Sequence, residues 1–107
     1  MTPRQQKITI DTELYSTLKI QRGEDLFILQ MSEVPFADEL MTFHSFEHKG
    51  PDANSHLVFA EAQNFTQKFW TYFTDEEQQR MLPKLCQEAL KGNKLARLLV
   101  HSGEKKT

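Results

Sequence analysis

The chain has a single cysteine, Cys86, among its 107 residues. No internal disulfide is possible, so stability must come from a packed core, and a reducing compartment is expected. Glycine and proline number four each, too few for a collagen-like or low-complexity chain. No apolar run approaches the roughly 18 residues of a membrane span. The opening stretch, MTPRQQKITID, has no apolar run of the signal-peptide kind. These absences predict one cytoplasmic domain, residues 1–107, with residues 1–6 and 102–107 as flexible tails. Motifs that cradle phosphate or present a nucleophile are also missing, since G-x-G-x-x-G, G-x-x-x-x-G-K-[ST], G-x-S-x-G and C-x-x-C do not occur. A site assembled from scattered residues would leave no such trace. The reading nevertheless leans away from an enzyme and implies no cofactor.

Aromatic side chains, by contrast, are plentiful, with eight Phe, two Tyr and one Trp. Each ring buries a large apolar area, so a small core can be built from few residues. Charge is unevenly distributed. Residues 1–22 carry four bases and two acids, residues 23–83 three bases and eleven acids, and residues 84–107 six bases and two acids. Basic ends around an acidic middle suit a contact between oppositely charged surfaces, within one molecule or between two copies.

Periodicity divides the chain into strands followed by helices. Ile8, Ile10, Leu14, Leu18 and Ile20 all occupy even positions, the period of a strand with one buried face. One long strand or two short ones are expected over 8–20, with a break near Asp11–Glu13. R-G-E-D at 22–25 supplies a turn in which Gly23 can take positive φ. Residues 26–31, L-F-I-L-Q-M, are apolar on both faces and read as a central strand covered on each side. S-E-V-P-F-A-D-E at 32–39 reads as a connection around Pro35. Residues 40–48 and 56–62 read as a second hairpin with a long loop, K-G-P-D-A-N-S.

A rival arrangement, strand K-I-T-I-D followed by helix T-E-L-Y-S-T-L-K-I-Q-R, resembles the opening of the ribbon-helix-helix DNA-binding family. The β-branched Thr12, Thr17 and Ile20 weaken such a helix, and D-L-F-I-L-Q-M lacks the polar face that a second helix needs.

From Asn64 the period lengthens. Phe65, Phe69 and Phe73 recur every four residues, with Asn64 as the expected N-cap. Thr74 and Glu77 form a capping box for the next helix, in which Pro83 must kink or restart the chain. Gly92 is a stop and Asn93 a cap for a last short helix. The expected fold is α+β: an antiparallel sheet of about four strands in the N-terminal half, covered by two to three C-terminal helices.

Four sets of residues are candidates for function. F-H-S-F-E-H-K-G-P-D-A-N-S-H at 43–56 holds three of the four histidines. On a strand, His44 and His48 lie about 13 Å apart, too far for one metal. His48 and His56 could meet across the hairpin with Asp52, making His44, His48, Asp52 and His56 the ligand or metal candidates. In the aromatic helix one face cannot hide Phe65 and all of Phe69, Trp70, Tyr72 and Phe73, so the last four are partner-contact candidates. Lys84, Lys91, Lys94 and Arg97, with Lys105 and Lys106 beyond them, are phosphate-contact candidates. Cys86 lies on the apolar stripe of its helix and reads as a small buried hydrophobe.

The leading expectation is a non-enzymatic interaction or regulatory protein. It would self-associate as a homodimer through the aromatic helix and a sheet edge. Nucleic-acid binding through the basic ends, and ligand or metal binding by the histidine-rich loop, are the alternatives.

Overall fold

The computed structural model describes residues 7–14, 16–51 and 53–104. Five strands come first: β1 (Ile8–Leu14), β2 (Thr17–Arg22), β3 (Asp25–Phe36), β4 (Glu39–Gly50) and β5 (Ala53–Phe59). Three helices follow: α1 (Ala62–Trp70), α2 (Asp75–Leu90) and α3 (Lys94–Glu104). The strands lie side by side in chain order, each antiparallel to the next. The α+β architecture is the expected one, with a fifth strand because 8–20 folds back on itself. The even-position pattern survives that reversal. Ile10 faces Ile20 and Thr12 faces Leu18, so even residues of both strands share one side. The register shifts between Thr12 and Leu14, at the end of the stretch where a break is expected, and β1 ends at Leu14. Residues 17–22 are therefore a strand, and the ribbon-helix-helix arrangement does not occur.

All three helices pack on one side of the sheet. Ile10, Leu18, Ile20, Phe27, Leu29 and Phe46 point towards them and are buried against Phe65, Phe69, Phe73, Met81, Leu85, Leu95 and Leu99. Phe27 and Phe46 meet Phe69 edge-on, with ring centroids 6.1 and 6.0 Å apart, a favoured packing of aromatic quadrupoles. Among the described residues no helix covers the opposite side of the sheet, so β3 is central but not covered on each side as expected. Leu26 and Ile28 there are only half-buried.

The caps explain where the helices begin. Thr74 Oγ1 accepts from the Glu77 N–H at 3.1 Å, and Glu77 Oε1 accepts from the Thr74 N–H at 2.9 Å, the expected box. Asn93 Oδ1 accepts from the Ala96 N–H at 2.9 Å, while its Nδ2 donates to the Thr17 carbonyl at 3.1 Å, fixing the start of α3 onto β2. Gly92, at φ 107°, makes the corner before it.

Several boundaries differ from the sequence expectations. α1 begins after Glu61 rather than Asn64, whose Nδ2 donates to the Glu61 carboxylate at 3.4 Å instead of capping. Of the two expectations for Pro83, the restart does not occur, since α2 continues through it as one helix. Pro83 and Gln79 are both exposed, so the carbonyl that loses its N–H partner lies on the solvent side, where water can satisfy it. Residues 102–104 are part of α3 rather than a tail: Trp70 Nε1 donates to Ser102 Oγ at 2.9 Å, and Gly103 is buried. A Cβ at Gly103 would lie 2.9 Å from Leu82 Cδ2. Residues 1–6 and 105–107 lie outside the described residues.

Arg22 ties the layers together at one end of the sheet. Its Nη1 donates to the Tyr72 carbonyl at 2.8 Å and to Glu77 Oε1 at 3.1 Å, and its Nη2 donates to Asp25 Oδ2 at 3.2 Å. The guanidinium also lies 4.8 Å from the centre of the Phe73 ring, a cation–π contact. One side chain thus holds β2, β3, the α1–α2 corner and the α2 cap. Removing one partner of a well-buried ion pair costs about 3–5 kcal/mol. Asp25 keeps His48 and Glu77 keeps the Thr74 N–H, so Arg22→Ala is expected to lower stability in urea by about 2 kcal/mol. Lys19→Ala removes an ion pair between side chains 39% and 58% exposed and should change it by about 0.5 kcal/mol or less.

Candidate interaction surfaces

β3 and β4 are twelve residues each, about twice the length of the neighbouring strands. β2 pairs with β3 only from Asp25 to Gln30, and β5 pairs with β4 only from His44 to Gly50. Residues 32–36 and 39–43 therefore pair with each other alone, as a two-stranded arm beyond the body of the sheet. The stretch expected to be an irregular connection around Pro35 is this arm. At its tip Phe36 opposes Glu39, and Ala37 and Asp38 take φ of 48° and 66°. Both central residues at positive φ suit the twist of a tight hairpin turn, although such a conformation costs a non-glycine residue about 1 kcal/mol or more.

The arm is apolar and uncovered. Phe36, Leu40 and Val34 are 65%, 66% and 43% exposed. Alternation puts Val34 and Phe36 on one side with Met41 and Phe43, and Pro35 and Leu40 on the other. Its charged residues are Glu33, Asp38 and Glu39, with no Lys or Arg across 32–43, giving a net charge of −3. Isolated two-stranded ribbons are marginal in water, and unpaired strand edges invite further pairing.

On the helical side, an open groove of about 550 Å³ runs between α2 and α3, lined by Cys86, Ala89, Leu90, Arg97, Val100 and His101. Leu90 is 89% exposed there. Cys86, expected to be buried, is half-buried in this groove. Lys84, Lys91, Lys94 and Arg97 are all exposed. Lys91 lies 3.5 Å from Glu88, an acid otherwise turned inward, where it accepts from Thr12 Oγ1 at 3.3 Å.

The aromatic helix is part of the core. Phe69, Trp70 and Phe73 are 0%, 1% and 6% exposed, so they offer no surface to a partner in this fold. α1 ends at Trp70, so Tyr72 and Phe73 lie in the turn beyond it rather than on the helix; Phe69 and Phe73 meet Phe27 from the sheet, and Trp70 reaches α3 through Ser102. Tyr72 is half-buried, edge-on to His48, Phe46 and Phe27.

The histidines are divided between the two sides of the sheet. β4 turns into β5 tightly at 50–53 rather than through a long loop, and this sets the register. His56 opposes Glu47 on the open side, whereas His48 opposes Ser55 on the helix side. His48 and His56 therefore do not meet. Asp52 lies outside the described residues. Among the described residues no group of three or more His, Cys, Asp or Glu side chains could hold a metal ion.

His48 stacks on Phe27 at 4.3 Å between ring centroids, and its Nε2 lies 3.1 Å from Asp25 Oδ1. An ionised carboxylate only accepts, so Nε2 carries the proton. This hydrogen bond first, and then Arg22, hold the Asp25 carboxyl below its ordinary 3.8 against partial desolvation. His44 is 6% exposed, and its Nδ1 has no hydrogen-bond partner. Burial lowers its pKa from the ordinary 6.5, while a hydrogen bond with the Phe59 backbone acts the other way.

Val34, Phe36, Leu40, Leu90 and, on the open side of β5, Val58 are the large apolar side chains left exposed among the described residues, and Leu90, which falls on the apolar stripe of its helix with Leu82, Leu85 and Ala89, turns outward instead of packing. For the first three the signal was local: large apolar side chains beside Pro35 and acids. Comparison with family models, curated proteins and solved structures finds no match to this chain. No helix among the described residues is long and apolar enough to cross a membrane.

Two predictions follow from the placement of these side chains. Phe69→Ala should cost about 3–5 kcal/mol in chemical denaturation, whereas Phe36→Ala should stay within about 0.5 kcal/mol. Below pH 6.5 the unfolded chain binds a proton at His44 that the folded chain resists. Its contribution to stability is thus full above 6.5 and falls as the pH drops. A series of thermal melts from neutral to mildly acidic pH should show the midpoint falling, and His44→Phe should flatten that slope.

Proposed function

We propose that the chain is a protein-interaction protein that associates with itself through the β3–β4 arm. The observation that supports this most directly is the exposure of Phe36 and Leu40, 65% and 66%, on an element outside the core. A contiguous exposed apolar patch rimmed by polar residues is characteristic of a contact surface. The core residues of β3 and β4 lie between Phe27 and Leu29 and at Phe46, so the arm is not needed to complete the body. Its acids oppose in sign the bases of the helices, which would orient one molecule on another. The reading keeps the expected self-association and sheet-edge contact, and moves the apolar anchor from the aromatic helix to the arm.

Size-exclusion chromatography with light scattering tests it. The parent is expected to exceed the 12.5 kDa of one chain at micromolar concentrations, and Phe36→Asp with Leu40→Asp to run as a single chain with an unchanged melt. A parent that stays at single-chain mass up to high micromolar concentration would remove the proposal.

A further inference from the structure

We infer that the arm binds in the groove between α2 and α3 of a second copy of this chain. The inference rests on the reading above, that the arm is the contact element. Three properties of the arm restrict what can receive it. Its tip is apolar on both sides, with Phe36 and Val34 on one and Leu40 and Pro35 on the other. A groove buries both sides of such a ribbon, whereas a flat sheet face buries one. Its net charge of −3, from Glu33, Asp38 and Glu39, calls for a basic receptor. Its five paired residues span about 17 Å at 3.3–3.4 Å per residue.

The α2–α3 groove answers each of these. Leu90, Ala89 and Val100 give it an apolar floor and wall, and Leu90 is 89% exposed. Arg97 lines it, Lys94 stands one turn earlier on α3, and Lys91 follows Leu90. Glu88 is 5% exposed, accepts from Thr12 and lies 3.5 Å from Lys91, so Lys94 and Arg97 rather than Lys91 are the bases offered to the arm's acids. α3 has eleven residues, about 16 Å at 1.5 Å per residue, which matches the arm.

Other surfaces of a second copy fit less well. The groove between α1 and α3, about 400 Å³, is lined by Gln63, Thr66 and Gln67 and has no Lys or Arg in its wall. Arm against arm sets three acids opposite three acids, which is repulsive. The arm of one copy therefore seats Phe36 and Leu40 against Leu90 and Val100, with Asp38 and Glu39 towards Arg97 and Lys94. If each copy gives an arm and receives one, the dimer closes; if not, the contact propagates into longer assemblies.

Cys86 in the groove provides a reporter. Ala37→Cys, at the tip of the arm and leaving Phe36 and Leu40 in place, oxidised mildly at micromolar concentration, is expected to give an intermolecular disulfide between position 37 and Cys86, identified by peptide mass spectrometry. Disulfides confined to 37–37 and 86–86 pairs would overturn the assignment. In parallel, Leu90→Asp alters a side chain that is almost fully exposed and leaves the core intact. It should weaken association about tenfold or more, as a central contact residue does. Arg97→Glu should weaken it too, with partial recovery on adding Glu39→Lys. If Leu90→Asp associates like the parent while the Phe36→Asp, Leu40→Asp variant does not, the groove is not the receptor and the arm keeps its role. A monomeric parent would remove both.

Discussion

The Arg22 guanidinium is where the two layers of this protein are joined. Its donors reach a backbone carbonyl at the α1–α2 corner, a carboxylate at the α2 cap and a carboxylate on β3. Glu77 is thereby shared between a cap and an ion pair, and Asp25 between Arg22 and His48. Apolar burial between sheet and helices is larger in total but non-directional, and would tolerate some sliding of one layer on the other. The Arg22 bonds are directional and removed from bulk water, so they set the position of the helices along the strands. Asn93 makes a second such attachment, from the start of α3 to β2. Gly50 belongs to the same economy of space, since a Cβ there would come within 2.7 Å of Asp25 Oδ1.

Much of this was legible in the sequence because the signals were periodic or local. Even-position apolar residues in 8–20, the Thr74–Glu77 box, Gly92 and Asn93 each depend on neighbours within a few residues. The order of strands then helices gave the α+β class. What could not be read depended on pairing at a distance. Residues 65–73 hold five rings, and counting faces on one isolated helix leaves some of them exposed, whereas α1 ends at Trp70 and Tyr72 and Phe73 belong to the turn after it. In the fold α1 is flanked by the sheet and by α3, so nearly all of them are buried. The histidines were misread for a related reason. Whether His48 meets His56 or Ser55 depends on the number of residues in a turn, and one residue reverses the side.

The arm was missed because its turn lacks the usual chemistry. Tight hairpins with two positive-φ residues favour Asn-Gly or Asp-Gly, and here the pair is Ala37-Asp38. Pro35 also argued for a break, since proline cannot donate to a ladder. With no strand beside β3 at that point among the described residues, the missing N–H leaves no neighbour unsatisfied. The same isolation that makes proline acceptable leaves Phe36 and Leu40 uncovered. Local rules of sequence and structure are thus broken together at the surface proposed for contact, where such conflicts are expected to concentrate.

Because residues 32–36 and 39–43 pair only with one another, the reach of the arm is independent of the register of the body. Adding or deleting one residue in each strand would change its length by about 3.4 Å and exchange the two sides of everything beyond that point. Doing so twice would restore the sides and change only the length. The pairings from Asp25 to Gln30 and from His44 to Gly50 are held by β2 and β5 and would be unaffected. Reach and sidedness of the contact can therefore vary in discrete steps while the folded body stays the same.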